Sequence, residues 1–458
     1  MRHLWYSGLI LFLLLSVFLI QKPILLILLL FGAIFFLYTV QIDFQYRDIH
    51  LVGLAFFSAI ALPPISALPG MPNVRVEELI IFLILPLFFF FRNRRIEDRY
   101  LKYFLYSLIG FAAAIVFSLN YGKYFLGVPT SLNDYFEVLK VIKFFIAVLI
   151  ISRLNLNKED LYKLLYVIVF SFVISAVIGI MQFYGILGFE RITAPYYAME
   201  RIYDIHNRMM GTFFNPNTYG TALTIGVVIV VALSYYEKNF GRKTGLIAIA
   251  VILSFTVALT QSRTAVVVLL LAVILLTALN FIKKQFTVKQ LLIIIGVFTV
   301  LLLAIVSLLA DQILTRFMGL GEIGEDLSWQ MRLLAWYLNL TIFSESMVFG
   351  WGPAKLIHTT IVDSEYILIL RRYGIVGFLI YILIYFIPLI RAFVMQKLKG
   401  IRELMGQIIF TATFVFLISN ITNPLFHEIQ YMGLWAMLIG IFFALPLKED
   451  SRKSLNSG

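Results

Sequence analysis

Apolar residues run along this chain in long blocks separated by short polar stretches. The blocks fall at about 4–21, 23–41, 49–62, 77–91, 101–119, 134–152, 161–184, 217–236, 244–261, 263–281, 289–309, 364–390, 403–420 and 428–446. Most are about 18–24 residues long, enough for an α-helix to cross a hydrocarbon core of roughly 30 Å. Inside a bilayer every backbone N–H and C=O must be satisfied within the segment, so blocks of this length predict helices. The expected fold is therefore all-α: one polytopic membrane domain over residues 1–458 with about 14 transmembrane helices. Two neighbouring pairs of blocks are almost continuous, which widens the expectation to 12–14. The first block starts at Leu4 with no small-residue cleavage site behind it, so it is expected to stay as a first span.

Composition agrees with the pattern. Hydrophobic residues make up 61% of the chain and charged residues 14%, where soluble domains sit near half and a quarter; mean hydropathy is +0.94. With no cysteine, disulfides, thiolate-held metals and thiol nucleophiles are excluded. The net charge of +12 invites a nucleic-acid reading, but its distribution removes the need for one. The basic loops "RNRRIEDRYLK" (92–102), "SRLNLNKEDLYK" (152–163), "EKNFGRKTG" (237–245), "IKKQFTVKQ" (282–290) and "RAFVMQKLKGIRE" (391–403) all fall on one side if the spans alternate. Such loops face the cytoplasm, and both termini go with them. No nucleic-acid partner is expected.

Two long connections, 185–216 and 310–363, are then outward, and the second contains an amphipathic stretch at 329–343. Chemistry is expected there. In "RMMGTFFNPNTYG" (208–220), Asn215-Pro216-Asn217 forms a turn in which Asn217 is a plausible helix N-cap. Arg208 precedes it, facing either substrate or lipid headgroups. "LTQSRTA" (259–265) joins two apolar helices with almost no loop. Its Arg263 either snorkels to the interface or is held at the bundle end for function. The second connection contributes Arg332, His358, Asp363 and Glu365, followed within the next apolar block by Tyr366, Arg371 and Arg372. Glu365 and Arg372 lie seven apart and Asp363 and Arg371 eight apart, so each pair could neutralise itself along one helix face. Glu137 is likewise an i,i+3 partner for Lys140. Arginine suits a pyrophosphate because its planar fork binds two oxygens and stays charged when desolvated. No Asp-x-Asp pair, tight His/Asp/Glu set or phosphate-cradling glycine loop is present, so neither a metal nor another cofactor is expected.

These motifs, in this order, resemble the O-antigen ligase and polymerase superfamily, the WaaL/Wzy-type membrane glycosyltransferases. The resemblance rests on "RMMGTFFNPNTYGTAL" (208–223), "QSRTA" (261–265), "RLLAW" (332–336) with "VFGWGP" (348–353), and "DSEYILILRRYGIVG" (363–377). It implies a metal-independent, C-type glycosyltransferase of the bacterial inner membrane, with its active site on the outer face. The implied substrate is an undecaprenyl-pyrophosphate-linked oligosaccharide, with membrane lipid around it and a chain-length regulator as a further partner. The family's essential arginines match Arg208 and Arg263. Ligases carry a histidine, a small polar residue, nine further residues and Gly-x-x-Gly; here Ser364, Gly374 and Gly377 fit, but Asp363 stands at the histidine position. That departure favours a polymerase of repeat units over a ligase, with Asp363 and Glu365 as base candidates. Arg332, Arg371, Arg372, Tyr366, His358, Asn215 and Asn217 are the expected substrate-binding residues. A transporter is the alternative of another class; matched half-repeats with interrupted helices, its usual mark, are not evident in the sequence.

Overall fold

In the computed structural model the described residues are 44–62, 75–81, 98–154, 156–193, 208–213, 215–282, 327–358 and 362–447. The blocks expected at 4–21, 23–41 and 289–309, most of 77–91, and parts of both long connections lie outside them.

Among the described residues all regular structure is helical. The main helices are α1 (Phe44–Ala61), α2 (Arg99–Phe125), α3 (Leu132–Ile151), α4 (Lys158–Phe183), α5 (Pro216–Tyr236), α6 (Phe240–Leu259), α7 (Arg263–Ile282), α8 (Leu327–Glu345), α9 (Glu365–Met395), α10 (Ile401–Ser419) and α11 (Ile429–Ala444). Seven of them, α2, α4, α5, α6, α7, α9 and α10, are long and apolar enough to cross a membrane. Shorter apolar helices occur at Ile49–Ala61 and Gln430–Ala444. Ten of the expected blocks thus coincide with helices, and seven meet the spanning criterion; a count of fourteen goes beyond the described residues. The helix at 134–152 exists, but Asp134, Glu137, Lys140 and Lys143 make α3 too charged to read as a simple span.

The chain divides into two compact units, residues 1–92 with 157–219, and residues 93–156 with 220–458. In the first, α1 packs on α4, and Arg75 donates to the Ala59 and Leu62 carbonyls at the end of α1 (3.0 and 3.1 Å). A cation there satisfies carbonyls that have no intrahelical partner.

In the second unit α9 is the central element, packing against α2, α8 and α10, while α3 packs on α2 and α11 and α7 on α10. Asn280 of α7 and Gln407 of α10 exchange amide hydrogen bonds of 3.2 and 3.0 Å in the interior. Buried Arg391 donates to Asp98 (2.8 Å) and to the Phe442 carbonyl (2.8 Å), joining α9 to the start of α2 and the end of α11.

The expectation of an unbroken helix over 364–390 is corrected at Gly374. There the backbone turns to φ +64°, ψ −169° inside α9, a region essentially confined to glycine. The break frees carbonyls 371 and 372 and amides 375 and 376. The segment after α8 takes them up: Trp351 and Gly352 N–H donate to the Arg371 and Arg372 carbonyls (3.0 and 2.8 Å), and Ile375 and Val376 N–H donate to Met347 and Val348 (2.8 and 3.2 Å). A side chain at 374 would meet the Val348 carbonyl at 2.3 Å. Ser118 of α2 adds a hydroxyl bond to the Arg372 carbonyl (2.6 Å). Irregular backbone at membrane depth is tolerated where protein satisfies it, and here "VFGWGP" does so.

Candidate functional site

The break sets the positions of the charged residues around the first turns of α9. α3 begins at Ser131, whose N–H and hydroxyl bond Asp134 (2.7 and 2.9 Å), and one turn later it presents Glu137, 4% exposed. Glu137 lies 2.6 Å from Lys355 Nζ, 3.3 Å from Lys140 Nζ, 3.7 Å from an Arg372 guanidinium nitrogen and 3.4 Å from His427 Nε2. Lys355 reaches it because Asp134 accepts the Lys355 backbone N–H (3.0 Å) and the Asn133 carbonyl accepts its ammonium (2.8 Å). The i,i+3 pair Glu137–Lys140 is as the helical spacing predicts.

Glu365, at the first turn of α9, is fully buried. Its carboxylate accepts from Phe426 N–H (3.0 Å) and from His427 Nδ1 (2.6 Å). A carboxylate only accepts, so the His427 proton sits on Nδ1. His427 therefore lies between two glutamates from different helices, and three partly exposed cations, Lys140, Lys355 and Arg372, gather on Glu137. Three cations on one carboxylate leave room for a further anion. Beside it, buried Arg371 donates to Asn339 Oδ1 (2.5 Å), while its Nε and the Arg372 Nε have no hydrogen-bond partner among the described residues.

The pairings expected along α9 are corrected here. Arg372 faces Glu137, not Glu365; Arg371 faces Asn339, not Asp363. Asp363 is held by Arg332 of α8 (2.9 Å). The reason is the break at Gly374 and the loop docked on it, which bring in partners from α3 and α8 that heptad spacing along one helix cannot reveal. Tyr366 donates to the Leu417 carbonyl (2.6 Å). His358 stacks edge-on against Trp351 (5.4 Å between ring centres). Burial, then the positive charge of Arg371, lowers its pKa below the usual 6.5, so it is neutral at pH 7.

Arg263 is the first residue of α7 and is half-buried. Its neighbour Thr264 bonds Thr422 (2.8 Å), which ties the start of α7 to the turn that leads to His427. Gly220 lets α5 approach closely: a Cβ there would meet Ala265 at 2.7 Å.

Arg208 belongs to the first unit and donates to Asn217 Oδ1 (2.7 Å). Asn217 is not the helix cap. Pro216 takes the first helical position, where a missing N–H costs nothing, and the cap falls to Asn215, whose Oδ1 accepts the Asn217 N–H (2.9 Å). The segment is pinned by Gly211 N–H to Gln182 (3.1 Å) and Thr212 to the Ile60 carbonyl (2.6 Å).

Residues 248–382 match the family model for O-antigen ligase. This supports the O-antigen ligase/polymerase superfamily. The matched segment contains Arg263, Arg332, Lys355, His358, Asp363, Glu365, Arg371 and Arg372, and stops short of His427; Glu137 and Arg208 precede it. With the apolar helices, the O-antigen ligase match supports a multi-pass membrane enzyme of O-antigen or polysaccharide assembly, acting on a lipid-linked oligosaccharide. No protein of curated function matches the chain. Among the described residues no group of three or more His, Asp or Glu is placed to hold a metal. Sequence reasoning missed His427 as a member of the cluster. Its signal, a histidine in the short polar turn "NPLFHE" between two apolar blocks, is weak without knowledge of Glu365 and Glu137 beside it.

Proposed function

We propose that the chain is an outer-face glycosyltransferase that polymerises undecaprenyl-pyrophosphate-linked repeat units into surface polysaccharide. An acceptor sugar hydroxyl attacks the anomeric carbon of the lipid-linked chain, and the lipid pyrophosphate leaves. Arg263 stabilises the charge growing on that leaving group, with Arg372 contributing from α9; for Arg208 the same role is carried over from the family resemblance alone. The observation that carries the reading is the gathering of three partly exposed cations, Lys140, Lys355 and Arg372, on the one buried carboxylate of Glu137, within the same unit as Arg263; a pyrophosphate is the anion such a group would attract. Asp363, where ligases place histidine, is engaged by Arg332 and favours polymerase over ligase.

The test is reconstitution of the full chain in proteoliposomes with a lipid-linked repeat unit. Wild type should give a ladder of polymer. Arg263→Ala should lower the rate on the order of 10²–10³-fold, the loss typical of one transition-state donor; Arg208→Ala should act in the same direction. Ladders surviving both substitutions would sink the reading. Full-length lipid-linked polymer left unattached in a gene-deletion strain would instead mean the ligase. Intact glycans with altered solute uptake would mean the transporter, for which the interrupted helix α9 is the supporting feature.

A further inference from the structure

We propose that His427, held by Glu365, takes the proton from the acceptor hydroxyl. The inference rests on the glycosyl-transfer reading and names a catalytic residue within it.

Four groups in or beside the cluster could accept a proton from a sugar, and the geometry separates them. Glu137 is 4% exposed and enclosed by Lys140, Lys355 and Arg372. Asp363 is engaged by the Arg332 guanidinium at 2.9 Å, on the side of α8. Glu365 is fully buried and both of its oxygens are engaged, one by a backbone amide and one by an imidazole. His427 remains. Its Nδ1 is fixed on Glu365 at 2.6 Å, its Nε2 is turned to the cluster 3.4 Å from Glu137, and its side chain is 13% exposed. The imidazole is thus oriented by a buried carboxylate through one nitrogen and presents the other, which is the arrangement a general base needs.

Glu365 of α9 and Glu137 of α3, the latter 3.4 Å from Nε2, flank the imidazole. Lys140, whose ammonium also donates to the His427 carbonyl (3.3 Å), Lys355 and Arg372 gather on Glu137 and would hold an anionic pyrophosphate beside it. In the step itself the acceptor O–H proton passes to Nε2 as the oxygen bonds to the anomeric carbon. The bond from that carbon to the pyrophosphate oxygen breaks, its electron pair leaving with the lipid pyrophosphate, and the imidazolium later returns its proton to solvent.

The experiment uses the same reconstituted full-length chain with lipid-linked repeat unit. His427→Gln should lower kcat about 10²-fold, the low end of general-base contributions, with KM for the donor within about threefold. The fall in rate toward acid pH seen in wild type should vanish in this variant. Imidazole added to His427→Ala should restore part of the rate. Glu365→Gln, which keeps the shape and removes the charge, should move the acid limb of the pH–rate profile. His427→Gln turning over within threefold of wild type with an unchanged profile would overturn the assignment. Should the His427 variants fail to fold, a folded Glu365→Gln with an unmoved acid limb would overturn it equally. Arg263→Ala keeps the two ideas apart: an inactive Arg263→Ala with a normal His427→Gln sinks only the base, whereas an active Arg263→Ala sinks glycosyl transfer itself.

Discussion

His358 and Arg391 show how single residues in this chain carry charge at a cost. His358 Nε2 is buried with no hydrogen-bond partner among the described residues, and burial together with Arg371 lowers its pKa from 6.5. The unfolded chain then takes up the proton first, so the stability His358 contributes is full above pH 6.5 and declines as pH falls below it. Thermal unfolding of the detergent-solubilised protein should show that acid loss, and His358→Phe should reduce it. Arg391 is the opposite case, fully buried but saturated: Asp98, two carbonyls of α11 and its C-cap, and the rings of Phe442 and Phe443 surround its guanidinium. Arg391→Ala leaves Asp98 and those carbonyls without their donor and should cost about 3–5 kcal/mol, the usual penalty for removing one partner of a buried pair. A chemical-denaturation midpoint compared with wild type would measure it.

At the scale of elements, the apolar blocks were enough to find ten of the eleven main helices among the described residues, because block length and backbone satisfaction in a bilayer leave few other solutions. They were not enough to find what happens within α9. Gly374 sits in an apolar run where a glycine reads as tolerated, and only the docked 347–352 segment makes its φ of +64° necessary. Gly374→Ala would force strain of about 1–3 kcal/mol in the backbone and add the collision with Val348. The expected outcome is a folded yield well below wild type by size-exclusion profile; a wild-type yield and melting point would show that the break is dispensable. The Asn280–Gln407 amide pair is milder. Replacing both by leucine should change stability by about 1 kcal/mol or less, in line with polar contacts between membrane helices, whereas Asn280→Leu alone strands Gln407 and should be the worse of the two.

For the whole molecule, the candidate site was legible only in part, for a reason of geometry. Arg263, Asp363, Glu365, Arg371 and Arg372 stand out because charge is rare in and beside apolar blocks. Their partners do not, because Glu137, Lys355, Asn339 and His427 come from separate elements whose convergence depends on packing. Pairing by helical spacing within α9 therefore assigned these charged residues the wrong partners. The opposite holds at 215–217, where the residues were adjacent and a single proline shifted the cap from Asn217 to Asn215. One consequence of the Gly374 break belongs to mechanics. The segment from Met347 to Gly352 is bonded across the fracture on both sides, so it acts as a splint that ties these six residues to α9. Amides 351, 352, 375 and 376 should exchange hydrogen only as slowly as the interior of α9. Under the proposed reaction, a glycan would then enter without displacing residues 347–352.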